Sequence, residues 1–328
     1  MTSDPASAGR PILFIFLDGV GLGADDPARN AFVVARLPTL DALLDGRRVV
    51  AAIAPLHTSR ASLVALDATL GVDGLPQSGT GHATLFTGED AVRMHGRHFG
   101  PWVPARLRGF LRERSVLAKA RAAGLRVAFA NAYPLDIIEA DRRALREGGR
   151  PRLLRAGPPL AADGAGVLTR GPEHLAAGAA VASEITNDRW AERVGTAVAP
   201  PIMAHEAGRN LAAIAAACDL TLFAHYGTDH AGHERSLESA VAALEKVDAF
   251  LGGVIDAAAR DMLLVVASDH GNVEDCTTAH TLNPALGLVV GTGHAAFARR
   301  LASIADVAPA ILDALNEEQT EAPDRRGA

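Results

Sequence analysis

Continuous apolar runs alternate with amphipathic stretches along the chain. Four largely apolar runs have the length of strands covered on both faces of a parallel sheet, and they span residues 11–17, 125–130, 220–224 and 262–267. Helical patterns cover residues 206–218 and 237–259, and a last amphipathic helix is predicted over residues 303–316. This alternation predicts an α/β fold with a mainly parallel central sheet flanked by helices.

Polar residues follow three of the predicted strands directly. Asp18 and Gly19 come after the first strand, His225 after the third, and Asp269-His270 almost directly after the fourth. In sheets of this kind the ligand site lies beyond the carboxyl ends of the strands. Asp and His are costly to bury there unless a partner compensates them, and a divalent metal ion is a natural partner.

The amino-acid composition of the chain changes between about residues 134 and 200. This stretch is rich in Arg, Gly and Pro and has no strong buried strand. We interpret residues 134–199 as an inserted cap on a core formed by 10–133 and 200–316, with a long surface excursion as the alternative. Residues 1–9 and 317–328 are predicted to be flexible tails.

Composition narrows the class of protein. The 328 residues are 48% hydrophobic and 21% charged, which suits one large globular α/β domain with a modest insertion. A net charge of −6 gives no reason to expect nucleic acid, and no apolar stretch is long enough to span a membrane. The polar first ten residues and only two cysteines favour a reducing cytoplasm.

Three further features are weak signals when each is taken separately. The i, i+4 spacing of Asp229 and His233 would direct both side chains to one side of a helical turn, but such pairs often arise by chance. Ser78 precedes an apparent helix and could be a helix cap, or a nucleophile if a metal lies beside it. His280 is either a ligand or a solvated loop imidazole.

Five motifs in one order make a specific resemblance. They are Asp18-Gly19-Val20-Gly21, Gln77-Ser78-Gly79-Thr80-Gly81-His82, Asp229-His230-Ala231-Gly232-His233, Ser268-Asp269-His270-Gly271-Asn272 and Ala279-His280-Thr281-Leu282-Asn283-Pro284. The set resembles the alkaline phosphatase superfamily, and within it the cofactor-independent phosphoglycerate mutases and phosphopentomutases. The resemblance covers the core and does not extend to residues 134–200.

The resemblance implies a centre with two divalent metal ions, Mn²⁺ or Zn²⁺, with Mg²⁺ as a further option. One ion would be held by Asp18, Ser78, Asp269 and His270. The other would be held by Asp229, His233 and His280. Ser78 matches the family's nucleophile, which becomes transiently phosphorylated, and Thr80 is a rival hydroxyl that matches less well.

The expected function is phosphoryl transfer on a small phosphorylated metabolite. The predicted cap is shorter than the inserted domains of the mutases, so hydrolysis is favoured over mutase activity. A phosphodiesterase or phosphonate hydrolase, or a catalytically silent metal-binding protein, are the alternatives. Substrate contacts are predicted for His82, Arg97 and Asn131, with Arg142 or Arg143 reaching in from the cap.

Overall fold

A computed structural model describes residues 10–321 of the chain, with side chains up to Glu317. The strands are β1 (Ile12–Leu17), β2 (Leu56–His57), β3 (Ala61–Leu66), β4 (Val127–Phe129), β5 (Leu220–His225), β6 (Leu263–Ala267) and β7 (Ala285–Val290). They form a seven-stranded sheet in the order β2-β3-β7-β6-β1-β5-β4. The remaining parts of the two predicted tails, residues 1–9 and 322–328, lie outside the described residues.

Helices connect the strands and cover both faces of the sheet. They are α1 (Ala31–Val34), α2 (Pro38–Leu43), α3 (Ser78–Thr87), α4 (Ala91–His95), α5 (Ala105–Arg114), α6 (Val116–Ala122), α7 (Leu135–Arg146), α8 (Gly157–Gly164), α9 (Pro172–Ala176), α10 (Asp188–Val194), α11 (Ala204–Ala216), α12 (Gly227–His233), α13 (Leu237–Ala257), α14 (His294–Ala298) and α15 (Val307–Glu321). In the described part of the chain, no helix is both long and apolar enough to cross a membrane.

The centre of the sheet is parallel and fully buried. Strand β1 pairs in parallel with β5 and β6, so that Phe14 lies opposite Leu222 and Val265. Side chains alternate between the two faces: Phe14 packs in one hydrophobic cluster and Ile15 in the other. All four strands predicted from apolar runs are present in this region, and the predicted α/β class with a mainly parallel core is confirmed.

The other side of the sheet is antiparallel and was not predicted. Strands β2, β3 and β7 extend the sheet beyond β6, and each neighbouring pair there is antiparallel. Their sequences contain Ser62 and Gly287 within otherwise apolar runs. Short mixed runs of this kind do not distinguish a strand from a buried helix or loop, and their pairing is set by distant parts of the chain.

Part of the predicted cap is buried in the core. Helices α7 to α10 lie in residues 134–199, and α8 contributes Leu160 and Ala161 to the same hydrophobic cluster as β1. A Cβ on Gly157 would lie 2.4 Å from that of His82, so α8 packs closely against α3. The division of the chain into core and cap stays a prediction.

The described part of the chain ends in the helix that the sequence predicted, but at later bounds. Helix α15 follows a short 3-10 helix (Ile304–Asp306) and continues to Glu321. Residues 317–321, expected to belong to a tail, are therefore part of this helix. The two long helices α11 and α13 also match their predicted positions to within about two residues.

Close contact between α11 and α13 depends on glycine. A Cβ on Gly253 would lie 1.9 Å from the backbone oxygen of His205, and one on Gly208 would lie 2.1 Å from that of Phe250. Backbone atoms cannot move aside as a side chain can. We therefore expect Gly253→Ala to lower the free energy of unfolding by about 1–3 kcal/mol, measured by urea denaturation.

The matched control is Gly109→Ala in α5, where a Cβ meets no atom within 4 Å. That substitution should leave stability unchanged or raise it by up to about 1 kcal/mol, because alanine favours a helix. If Gly253→Ala were as stable as the wild-type protein, the close approach of the two helices would be wrong.

Candidate metal centre

The predicted site residues converge at the carboxyl ends of three neighbouring strands. Asp18 follows β1, Asp269 and His270 follow β6, and Asp229 lies in α12, which begins just after β5. Ser78 is the first residue of α3 and faces the same edge. Since β6, β1 and β5 are adjacent, the topology of the sheet brings Asp18, Asp229, Asp269 and His270 together, and α3 adds Ser78.

One group surrounds the Nε2 atom of His270. Ser78 Oγ lies 3.0 Å from this nitrogen, Asp18 Oδ1 3.5 Å and Asp269 Oδ2 3.6 Å. The other ring nitrogen, Nδ1, is 3.2 Å from the carbonyl oxygen of Gly271 and can donate to it. A proton on Nδ1 leaves the Nε2 lone pair directed at the three oxygen atoms, as metal-binding histidines require.

A second group forms around Asp229. His233 Nε2 lies 3.4 Å from Asp229 Oδ2, and His280 Nε2 lies 3.9 Å from Asp229 Oδ1. The spacing of Asp229 and His233 thus corresponds to one turn of α12. His280 Nδ1 can donate to the carbonyl oxygen of Pro76 at 2.8 Å, which leaves Nε2 available as a ligand atom.

The two groups are in contact. One ligand atom from each of Asp18, Asp229 and His270 falls within 4.8 Å of the others, although these residues belong to different groups. The rings of His270 and His280 stack with their centroids 4.2 Å apart. Oxygen and imidazole donors in this arrangement fit divalent metal ions.

Buried carboxyl groups favour a bound cation at this edge of the sheet. Asp18 is 6% exposed and Asp269 is fully buried, and Asp18 Oδ1 and Asp269 Oδ2 accept no hydrogen bond from a described residue. Burial raises the pKa of Asp18, and Asp229 raises it further. Burial also raises the pKa of Asp269, to about 7. These carboxylates lack the compensation that an ion would supply.

The same carboxylates also shift the pKa of His270, and they act against burial. Burial lowers its pKa, but Asp269, Asp18 and Asp229 outweigh burial and raise the pKa to about 9. Without a metal ion the site therefore retains protons near neutral pH. A metal ion that binds here displaces them.

Glu274 holds the loops that carry the site, and no sequence motif identified it. Its Oε2 atom accepts hydrogen bonds from the backbone N–H groups of Gly21 and Asn272, both at 2.8 Å. Its Oε1 atom accepts from the hydroxyl of Thr281 and the amide of Asn283. Each partner lies in one of the five motifs, so one buried carboxylate links the loop after β1 to the loop between β6 and β7, which carries both His270 and His280.

A glycine is required next to Asp18. Gly19 has φ +68°, and a Cβ there would lie 2.6 Å from Asp229 Oδ1. Asn272 donates its side-chain amide to the same Oδ1 atom at 2.7 Å. The Asp18-Gly19 turn therefore lets the two groups approach each other, and Asn272 orients the carboxylate of Asp229.

The residues predicted to contact substrate occupy different environments. His82 is buried, with Nε2 3.3 Å from Asp269 Oδ2 and 3.5 Å from Asp18 Oδ2. The side-chain amide of Asn131 exchanges two hydrogen bonds with the backbone of Ala224. Arg97 is exposed in the loop after α4. The contact with substrate stays a prediction for all three.

The two arginines considered in the predicted cap also lie apart from the centre. Arg142 pairs with Asp163 at 2.7 Å and with Glu139 at 2.6 Å. Arg143 is exposed on the same helix, α7. Neither is among the residues that line the cavity over the metal centre.

A cavity of about 650 Å³ opens over Asp18, Ser78 and Asp229. Besides these three, the polar and aromatic residues in its wall include Trp102, Tyr133, Arg152, Ser183, Glu184, Asp188, Arg189, His225, Tyr226, His230, Glu234 and Lys246. Several come from residues 152–189, within the predicted cap. The composition of that segment marked it as unusual, but no motif showed which of its side chains face the site.

Comparison with known proteins agrees with this geometry. A family model described as the metalloenzyme superfamily matches residues 10–319. The 2,3-bisphosphoglycerate-independent phosphoglycerate mutase of Desulforudis audaxviator is 39% identical over 105 residues, which are 30% of this chain and 21% of that protein. The enzyme of the same name from Cereibacter sphaeroides is 35% identical over 118 residues, 33% of this chain and 23% of that protein. The matches thus span less than a quarter of these relatives.

A solved structure shares the overall fold. A protein of Pyrococcus horikoshii has a TM-score of 0.54 at 13% identity, over 94% of this chain and 97% of its own. The family match covers nearly all of the described residues and includes all five motifs. The chain therefore belongs to the metalloenzyme superfamily, and the resemblance to the alkaline phosphatase superfamily that its motifs indicated is confirmed.

Proposed function

We propose that the protein is a two-metal phosphoryl-transfer enzyme that acts on a small phosphomonoester through phosphorylated Ser78, with hydrolysis as its reaction. The observation that carries this proposal is the position of Ser78. Its hydroxyl lies at the start of α3, 3.0 Å from His270 Nε2 and beside the carboxylates of Asp18 and Asp269. A helix N-terminus also favours the phosphate dianion.

The ligand sets are those that the motifs imply. Asp18, Ser78, Asp269 and His270 would hold one ion. Asp229, His233 and His280 would hold the other. Bound Mn²⁺, Zn²⁺ or Mg²⁺ would lower the pKa of the Ser78 hydroxyl and neutralise charge on the transferring oxygens.

The chain's own residues position the reaction. Ser78 Oγ would form a bond to phosphorus as the bond from phosphorus to the leaving oxygen breaks, and the alcohol would depart with a proton. Water would then cleave the phosphoserine and release inorganic phosphate. Gly79 lets the loop containing Phe99 and Trp102 pack on the start of α3, since a Cβ there would lie 2.2 Å from Trp102 O. Catalysis would thus depend on positioning and charge neutralisation.

A mutase is the second candidate. It is favoured by the names of the relatives, which are phosphoglycerate mutases, although they match over less than a quarter of their length. A mutase must retain its intermediate while the acceptor reorients, which requires a closed site. The short predicted cap favours hydrolysis instead.

Removal of the Ser78 hydroxyl tests the reaction. The Mn²⁺-loaded wild-type protein, incubated with sugar phosphates and phosphoglycerates, should release inorganic phosphate, and Ser78→Ala should lower kcat by about 10³-fold or more. Thr80→Val is the matched control, because the Thr80 hydroxyl is buried and contacts the backbone of Phe99. Full activity of Ser78→Ala would refute the nucleophile, and an isomerised ester without free phosphate would establish a mutase.

The pH dependence of stability tests the metal centre. The pKa of Asp269 is raised from 3.8 to about 7 and that of His270 from 6.5 to about 9. Their contributions to the stability of the metal-free fold are complete below 3.8 and 6.5 and are lost as pH rises through about 7 and 9. The Tm of the metal-free protein should therefore fall as pH rises from 6.5 to about 9.

Stabilisation of the fold by Mn²⁺ should instead increase as pH rises, because the ion binds the deprotonated ligands. We expect the rise in Tm on adding Mn²⁺ to increase with pH and to be lost in Asp269→Asn. Asp256→Asn, at an exposed acid on α13, is the control that should keep the rise. A rise in Tm on adding Mn²⁺ that is the same at every pH, or that is retained in Asp269→Asn, would contradict the assignment of Asp269 as a metal ligand.

A further inference from the structure

Aromatic residues with a polar edge are gathered in the wall of the cavity over the metal centre. The chain has two Trp and two Tyr residues, and three of these four, Trp102, Tyr133 and Tyr226, line the cavity. None of the ten Phe residues does, and all ten belong to the described part of the chain. Trp and Tyr combine a large apolar ring with a hydrogen-bond donor, which suits a wall that a ligand contacts.

Trp102 is the most exposed of the three and is held next to Ser78. It is 38% exposed, whereas Trp190, outside the cavity, is only 7% exposed. A Cβ on Gly79, the residue after Ser78, would lie 2.2 Å from the carbonyl oxygen of Trp102, so the two backbones are in contact. An exposed indole ring gains free energy when a ligand covers it. This ring is therefore available to a group that is bound at Ser78.

Arg155 covers the side of the indole that faces away from the cavity. Its guanidinium carbon lies 4.0 Å from the ring centroid of Trp102. Trp102 lines the cavity and Arg155 does not. The backbone N–H of Val103 donates to the carbonyl oxygen of Arg155 at 3.0 Å, which holds the two segments together. One face of the ring is thus occupied by a cation, and the other face is the one that a ligand can cover.

The two tyrosines are backed by phenylalanines that do not line the cavity. Tyr133 stacks on Phe129 with the ring centroids 6.1 Å apart, and Tyr226 packs edge-on against Phe16 at 6.4 Å. Both tyrosines are only half-buried. Their hydroxyls lie 3.3 Å apart and form one hydrogen bond, which uses one of the two phenol protons. The other proton is available to an acceptor on a ligand.

The charges in the wall favour a neutral group over an ammonium group. Aromatic faces attract cations, but the guanidinium of Arg155 already occupies one face of Trp102 and would repel a second cation on the other. Asp18 and Asp229 belong to the metal centre. The other charged residues in the wall are three carboxylates and three basic residues, namely Glu184, Asp188, Glu234, Arg152, Arg189 and Lys246. A neutral planar ring meets no repulsion there and can stack on the free face of the indole.

We propose that Trp102, Tyr133 and Tyr226 form a subsite for a planar aromatic group on the leaving alcohol, so that the substrate is a phosphate monoester that carries an aromatic ring. This inference rests on the proposed function, which places the phosphate at Ser78. The cavity volume of about 650 Å³ is in the range of small-molecule sites. A saturated group of the same size would bury a similar area without the contribution from stacking.

The test compares benzyl phosphate with cyclohexylmethyl phosphate, which have the same non-hydrogen skeleton and differ only in the aromaticity of the ring. Their dissociation constants are measured by titration calorimetry on Mn²⁺-loaded Ser78→Ala protein, so that neither ester is turned over. We expect the benzyl ester to bind about fivefold more tightly. Adding Trp102→Leu should reduce the ratio of the two constants to about one, whereas Trp102→Phe, which restores a ring, should retain the preference.

Phe110→Leu is the matched control for replacing an aromatic residue by leucine. Phe110 is half-buried on α5 and does not line the cavity. The ratio should keep its original value in this variant. Tyr133→Leu should lower the ratio as Trp102→Leu does, and it keeps the test valid if Trp102→Leu disturbs folding.

A second pair of esters, 5′-AMP and ribose 5-phosphate, decides which kind of ring the subsite accepts. Tighter binding of 5′-AMP that is lost in Trp102→Leu would support the subsite with a nucleobase as the ring. A preference within the benzyl pair alone would support it with a simple aryl group.

The remaining outcomes separate the subsite from the proposed reaction. Equal affinities within both pairs, preferences that survive Trp102→Leu and Tyr133→Leu, or tighter binding of phosphocholine than of benzyl phosphate would overturn the subsite. Turnover is measured separately on the wild-type protein as release of phosphate. Ring-dependent binding without turnover of any ester would support the subsite and contradict the proposed function, and turnover with equal affinities would do the reverse.

Discussion

Buried negative charge at the carboxyl edge of the sheet is the constraint on which the rest of this structure depends. Asp18 and Asp269 lie at the ends of adjacent strands with almost no exposure, and Asp229 approaches them from α12. Neighbouring imidazoles provide part of the compensation, and raised pKa values provide the rest in the absence of a metal ion. Such an arrangement destabilises a fold unless a ligand recovers the free energy. A divalent cation is the ligand that fits its donor atoms.

Much of the surrounding structure maintains this arrangement. Gly19 allows Asp229 to approach the turn after β1, and Glu274 joins loops from distant parts of the chain. His270 and His280 each have a backbone carbonyl that can accept from Nδ1, which directs Nε2 at the carboxylates. The protein's own contacts therefore fix the positions of these ligand atoms. Preorganised ligands of this kind reduce the cost of binding and hold the reacting groups in place.

The prediction that polar residues gather at one edge of the sheet rests on local signals. Each of β1, β5 and β6 is formed by a largely apolar run that leads into a polar residue. The antiparallel strands β3 and β7 were missed, since Ser62 and Gly287 interrupt short apolar runs that a buried helix or loop would also show. Long-range pairing leaves no periodic pattern in either segment that identifies its partner.

The residues that line the cavity could not be predicted from the sequence, for a related reason. Glu184 and Arg152 belong to a segment with no recognisable motif, and only the fold shows that they face Ser78. Glu274 has four hydrogen-bonding partners, of which Gly21 lies in the loop after β1 and the other three lie in its own loop between β6 and β7, and the contact with Gly21 is not implied by either sequence segment. Residues whose roles depend on tertiary contacts are therefore identified only from the folded structure.

The central claim is that two metal ions occupy the edge of the sheet, and anomalous diffraction tests it most directly. Crystals grown with Mn²⁺ should show two strong peaks at the manganese absorption edge. One should lie among Asp18, Ser78, Asp269 and His270, and the other among Asp229, His233 and His280. Peaks elsewhere, or none at these residues while the crystal contains Mn²⁺, would contradict the account.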